Sequence, residues 1–344
     1  MKTYTDFILE KTCGLLNIGS PTGYTENAIA WLRQEFAALG FDVQVTRKGS
    51  LLVDFGGADS ADGALLLEAH CDTLGAMVCE LKSNGRLHLT NLGGMNANNA
   101  ETENAVVVTR SGKKLEGTLQ LINASIHVNG DYNSTARNWD SVELVLDEDV
   151  SSAEDLRALG VGVGDYVCFD PRVRITERGY IKSRFLDDKL SVGVLLGLAK
   201  CIHDGRVSPK RRVWAHITVY EEVGHGGSAS VPAGVTEAIS VDMGCVGNGL
   251  GCTERMVSIC AKDSRGPYCR EIVLKLIDAA ERAGAAYAVD VYPHYGSDVE
   301  ATLSAGYDVK HGLIGPGVYA SHGYERSHRD GVENTLKLLA AYIG

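Results

Sequence analysis

Proline is scarce, with 7 residues in 344, and no internal repeat or low-complexity tract breaks the chain. Positive charge is also short: Lys and Arg number 33 against 44 Asp and Glu, a net charge of −11. Such a surface repels polyanions, which excludes nucleic acid as a partner. No two of the nine cysteines are spaced C-x-x-C, and the odd number is scattered singly. That argues against a disulfide framework or a zinc knot and for reduced thiols in a cytoplasmic enzyme. No apolar run reaches transmembrane length. The opening stretch from Met1 to Ser20 is interrupted by Lys2, Asp6, Glu10 and Lys11. The sequence therefore predicts no signal peptide, no membrane partner and a soluble chain.

What is abundant is apolar and glycine-rich. Hydrophobic residues make up 44%, enough for a full core, and charged residues 22%, too few for disorder. The 40 glycines often follow short apolar runs, as tight strand–helix turns in an α/β protein require. The pattern predicts helices over Tyr4–Ile18 and over Glu26–Leu39, the second capped by Thr25. It predicts strands over Phe41–Thr46 and Ser50–Phe55, paired across Lys48-Gly49, and a central strand over Ala64–His70. From Gly75 to Asp170 short alternating runs and Gly/Asn turns replace that rhythm, with one helix over Ser152–Leu159. This reads as a β-rich domain, residues 75–170, inserted into a discontinuous α/β domain of residues 1–74 and 171–344. Helices and strands then alternate again to a last helix ending at Ile343.

Candidate chemistry falls at the ends of apolar runs. His70-Cys71-Asp72 closes one strand, and its histidine could ligate a metal with Asp72 behind it, or both could be solvated polar groups. Asp187-Asp188 precedes an apolar helix, where N-capping competes with a bridging role between two cations. Glu221-Glu222 follows the strand Val213–Tyr220, and two adjacent carboxylates there have no structural benefit. Asp242 ends the strand Ala238–Asp242, and His322 and His328 lie in a histidine-rich tail. His225 could be a loop residue only. Open α/β sheets collect ligands at these strand ends. Histidine with carboxylates and no cysteine suits Zn²⁺, Co²⁺ or Mn²⁺, and one Glu of the pair could stay free as a base.

Taken in order, His70-x-Asp72-x-x-Gly75-x-Met77-Val78, Leu186-Asp187-Asp188-Lys189, Glu221-Glu222-Val223-Gly224 and Val241-Asp242 resemble the glutamyl-aminopeptidase-like, or TET, metallopeptidases, metallopeptidase family forty-two. The resemblance spans nearly the whole chain. It implies a mixed-sheet, three-layer α/β aminopeptidase fold with helices on both faces and an inserted β-barrel-like dimerisation domain. It further implies two divalent metal ions per subunit. His70 and Asp242 match ligands of one ion, Asp187 the bridge, and Glu222 and His322 ligands of the other. Glu221 matches the general base and Asp72 the carboxylate that orients His70. The Asp187–Asp188 bond matches a cis peptide. The family more often shows Arg-Tyr-x-His where this chain has Val318-Tyr319-Ala320-Ser321-His322, which keeps His328 open as an alternative last ligand.

The function so implied is removal of N-terminal residues from short peptides, by dimers assembled into a tetrahedral dodecamer. An N-acyl amino acid deacylase with the same metal chemistry is the rival enzyme, and a non-catalytic scaffold is the rival from another class. A glycosidase is disfavoured, because its carboxylates flank a bond without a histidine set. The stretch His294–Asp298 and His311 are candidates for the side-chain pocket.

Overall fold

Residues 2–344 are described by a computed structural model. The chain opens with α1 (Lys2–Leu16), α2 (Glu26–Ala38), β1 (Asp42–Val45), β2 (Leu51–Asp54) and β3 (Ala64–His70). Next come β4 (Gly75–Leu81), β5 (Leu87–Leu92), α3 (Ala97–Ala100), β6 (Asn104–Val108), β7 (Lys114–Leu121), β8 (Val142–Leu146), α4 (Ala153–Ala158) and β9 (Tyr166–Phe169). The remainder holds β10 (Arg174–Ile175), β11 (Tyr180–Ser183), α5 (Leu186–His203), β12 (Val213–Thr218), β13 (Val235–Val241) and β14 (Gly244–Val246). It continues through β15 (Val257–Lys262), α6 (Arg270–Ala283), β16 (Tyr287–Val291), α7 (Asp298–Ser304), β17 (Lys310–Tyr319), β18 (Glu325–His328) and α8 (Arg329–Ile343).

Two sheets organise these elements. A 12-stranded mixed sheet runs β1-β2-β12-β3-β13-β17-β18-β11-β10, with β14 and β15 branching from β17 and β16 pairing on β15. Its centre, β12-β3-β13-β17, is parallel. The apolar run of β3 is buried at all 7 positions, so helices must cover both of its faces. Helices α5 and α7 both pack on β3. The second sheet closes as a barrel, β4-β5-β8-β7-β6-β9, with every pairing antiparallel. Clean alternation along β7, in at Leu115, Gly117, Leu119 and Leu121, matches a strand with one face on a core.

Packing around α5 shows how sequence sets geometry. Its residues from Leu186 to Ala199 are all buried, and each Leu or Val so placed contributes about 1.5–3 kcal/mol of transfer free energy. Glycines four apart let α1 approach: a Cβ on Gly193 would stand 2.1 Å from Thr12 Oγ1, and one on Gly197 2.3 Å from Ile8 Cγ1. Alanine at either position would force the helices apart.

The barrel is fastened to the sheet through Glu103, just before β6. Arg184 donates to Glu103 Oε2 from Nε at 3.0 Å and Nη2 at 2.8 Å, and both residues are buried. Arg172 adds an ion pair to the same oxygen at 2.7 Å. Breaking such a buried pair leaves an uncompensated charge, at a cost of about 3–5 kcal/mol. Among the described residues, no helix is long and apolar enough to cross a membrane.

The predicted helices and the β1–β2 hairpin are present, with one local difference. Thr25 precedes α2 in helical backbone geometry and makes no side-chain cap, whereas Ser152 does cap α4 through the Asp155 N–H.

Candidate metal centre

The parallel strands β12, β3, β13 and β17 end along one edge of the sheet, where α/β folds gather ligands. The chain leaves them through Glu221-Glu222, His70, Asp242 and, three residues past β17, His322. Asp187 and Asp188 enter from the first turn of α5. That turn is not helical: Asp187 has ψ 103°, and the peptide joining the two aspartates is cis. Neither aspartate acts as a simple N-cap.

His70 is oriented from behind. Its Nδ1 lies 2.9 Å from the carbonyl of Asp72, so Nδ1–H donates there and the Nε2 lone pair points into the site. Asp187 Oδ1 is 3.1 Å and Glu221 Oε2 3.7 Å from Nε2. The Asp72 carboxylate was expected to hold the imidazole, but its nearer oxygen stands 3.6 Å from Nδ1. It accepts instead from the Thr22 hydroxyl at 2.8 Å and from the N–H groups of Glu221 and Glu222 at 3.2 and 3.4 Å. Asp72 thus orients His70 through its backbone and the glutamate pair through its side chain.

On the other side, His322 Nε2 lies 3.6 Å from Asp187 Oδ2 and 3.7 Å from Glu222 Oε2. His328 is not in this cluster. It caps α8 through Nδ1, which accepts from Asp330 N–H, and its Nε2 donates to the Arg178 carbonyl at 2.7 Å. Donor atoms of His70, Asp188 and Asp242 lie within 4.8 Å of one another, as do those of His70, Asp187 and Glu222. Asp188 was matched only through its peptide bond. Its Oδ2 accepts from His70 N–H at 3.3 Å, and its buried Oδ1 has no partner among the described residues.

The electrostatics demand positive charge. Burial raises the carboxyls of Glu221, Glu222 and Asp188 well above their ordinary range and lifts Asp242 to about 7. Asp187 is the exception: burial opposes its charge, but His322 and His70 hold it ionised and lower its pKa. Burial also disfavours charge on His70, yet the carboxylates of Glu221, Asp187, Asp72 and Asp242 prevail and raise it well above 6.5. With Nδ1–H committed, His70 Nε2 and Asp187 Oδ1 are two acceptors facing each other unless a proton or cation lies between them. Among the described residues no cysteine Sγ belongs to these donor groups, and burial pushes the neighbouring Cys71 thiol up to about 12. Imidazole and carboxylate donors of this kind fit divalent Zn²⁺, Co²⁺ or Mn²⁺.

Other groups shape the site without having stood out in the sequence. Glu325, 2% exposed, accepts from the N–H groups of both Asp187 and His322. Lys48, on the β1–β2 turn, donates to the carbonyls of His225 and Gly226 and braces the turn after the glutamate pair. The barrel contributes Gly93-Gly94: a Cβ on Gly93 would lie 3.2 Å from Glu222 Cβ, and one on Gly94 2.7 Å from His322 Nδ1. The adjacent glycines were the available signal. His225 is exposed and stacks on Tyr220. Of the suggested pocket residues, Tyr295 reaches the site edge, donating to the Met243 carbonyl at 3.0 Å. His311 packs instead on Tyr268.

A barrel-bearing mixed sheet with this cluster at its parallel strand ends belongs with the metallopeptidases, and sequence comparison is specific. The family model for M42 glutamyl aminopeptidase matches residues 49–338, and the chain belongs to that family. Bacillus subtilis YhfE, which carries a provisional aminopeptidase name, is 41% identical over 329 residues, 96% of this chain and 95% of its own. The fold is shared with Pyrococcus horikoshii TET1 peptidase, described as a tetrahedron or large octahedral shell. Its TM-score is 0.85 at 23% identity, over 98% of this chain and 99% of that one. A TET aminopeptidase from a marine-sediment thaumarchaeote gives 0.86 at 19% identity, over 97% and 95%.

Proposed function

We propose that this M42-family aminopeptidase removes N-terminal residues from short peptides by an attacking water, with Glu221 as general base and a pair of divalent cations in the centre. The observation that carries the reading is the convergence of His70, Glu222 and His322 on Asp187, with Asp242 beside His70. His70 and Asp242 would hold one ion, Glu222 and His322 the other, with Asp187 between them. When bound, such a pair polarises the scissile carbonyl and acidifies water near neutral pH.

The chain's own groups supply the rest. Glu221 faces His70 Nε2 but stays outside the proposed ligand set, so it is free to take the water's proton and return it to the departing amine. Asp72 fixes the backbone of Glu221 and Glu222 together, which keeps base and ligand in register. Unbridged cysteines and the acidic balance are consistent with a cytoplasmic enzyme. Self-association through the residue 75–170 barrel domain into a homo-oligomer is part of the same reading, supported by the shells described for the TET1 peptidase.

Glu221→Gln tests it. Peptide turnover is expected to fall by about 10²–10⁴-fold while both ions remain bound by elemental analysis. Activity within tenfold of wild type would remove Glu221 from the role, and loss of an ion would exchange the two glutamates.

A further inference from the structure

His322 occupies an improbable place for a ligand. It sits on the turn between β17 and β18 with φ 62°, two residues after Ala320 at φ 60°, and its side chain is 42% exposed. Neither residue is glycine, so the left-handed backbone costs energy and needs outside support. Hydrophobic packing cannot supply it at that exposure. Two hydrogen bonds do: Asn99 Nδ2 donates to the His322 carbonyl at 3.1 Å, and His322 N–H donates to Glu325 Oε1 at 3.0 Å.

The other oxygen of Glu325 is as informative. Oε2 accepts from Asp187 N–H at 3.0 Å. Asp187 lies where the helical backbone pattern fails, so that N–H has no helical acceptor. One buried carboxylate therefore spends each oxygen on the main chain of a different proposed ligand, one 138 residues away and one 3 residues away. Its side chain is directed at neither imidazole nor carboxylate.

We propose that Glu325 is a positioning residue, a two-oxygen clamp that fixes the separation between Asp187 and His322 and thereby sets the affinity of the second cation without touching it. This rests on the two-cation reading above. A residue of this kind acts like the groups behind metal ligands, whose loss commonly weakens binding by about 10–100-fold. The clamp holds both its partners by the backbone, so it governs where the ligands stand and leaves their donor chemistry unchanged.

The test is calorimetric titration of metal-free wild type, Glu325→Ala, Glu325→Gln and His322→Ala with Zn²⁺. In Glu325→Ala the second ion's Kd is expected to rise about 10–100-fold, at least ten times more than the first ion's. Glu325→Gln keeps one acceptor oxygen and should fall between Ala and wild type, and its near-identical shape carries the test if the alanine variant does not fold. An unchanged second Kd in the folded Glu325 variants, or equal weakening of both ions, overturns the clamp. His322→Ala separates the premises. If it still binds two ions at wild-type affinity, the ligand reading itself fails and the clamp with it. If it loses one ion while the Glu325 variants lose none, only the clamp fails.

Discussion

His70 and Asp242 stand at the ends of adjacent parallel strands and are 1% and 4% exposed, whereas His322 lies three residues past its strand with its side chain 42% exposed. The first pair inherits its positions from the sheet ladder, which the whole core supports. The proposed last ligand depends on a few side-chain hydrogen bonds to backbone, each contributing about 0.5–1.5 kcal/mol net. The proposed centre thus joins a half built by the fold to a half built by local polar contacts, and the second should be the easier to perturb.

Asp187→Ala probes what the halves share and should have the largest effect. Both ions are expected to leave on dialysis, whereas Asp72→Ala, which removes a group behind the ligands, retains more metal. Elemental analysis showing the Asp72 variant emptier would contradict the shared bridge. Gly94→Ala should perturb one half only. The new Cβ would stand 2.7 Å from His322 Nδ1, and the second ion's affinity should drop about tenfold with the first unchanged. Equal loss at both sites would erase the contrast.

The smallest effect is a pH dependence. In the metal-free protein burial pushes Asp242 up to about 7, and the Asp187 carboxylate 3.6 Å away pushes His322 up to about 10. Both folded-state values exceed the unfolded ones, so each group's stabilising contribution is complete below its unfolded pKa and is lost as pH rises through the folded value. Metal-free protein should therefore melt at lower temperature as pH rises from about 5 to 10, and added Zn²⁺ should raise the melting temperature more at the alkaline end. A metal-free melting temperature that climbs over this range would exclude protonated groups from the places assigned to cations.

Much of this was legible in the sequence because it is local. The uninterrupted run Ala64–His70 reads as a central strand, and the alternation of Leu115–Leu121 reads as a strand of the β-rich insert. Strand β4 was missed: a register shift between Val78 and Glu80 breaks its alternation. β18 was missed because Glu325-Arg326-Ser327-His328 looks polar, although three of its four residues are buried. The order of His70, Asp187, Glu221, Glu222 and Asp242 was visible, but the helix cap that takes His328 out of the cluster was not, since it depends on distance across the fold. Glu325 was invisible for the same reason, since its partners are main-chain groups that carry no sequence signature.

The tie between Glu103 and Arg184 has a consequence in time. Arg184 lies three residues before Asp187, and its partner belongs to the edge of the barrel, while Gly93 and Gly94 press on Glu222 and His322 from the same side. During synthesis His70 is made first, the barrel next and Asp187 only afterwards. A chain with an unclosed barrel has no anchor for the segment that leads into Asp187 and no wall behind His322. On the proposed reading, an unfinished subunit would be silent, because its centre would stay incomplete until both of its sheets had closed.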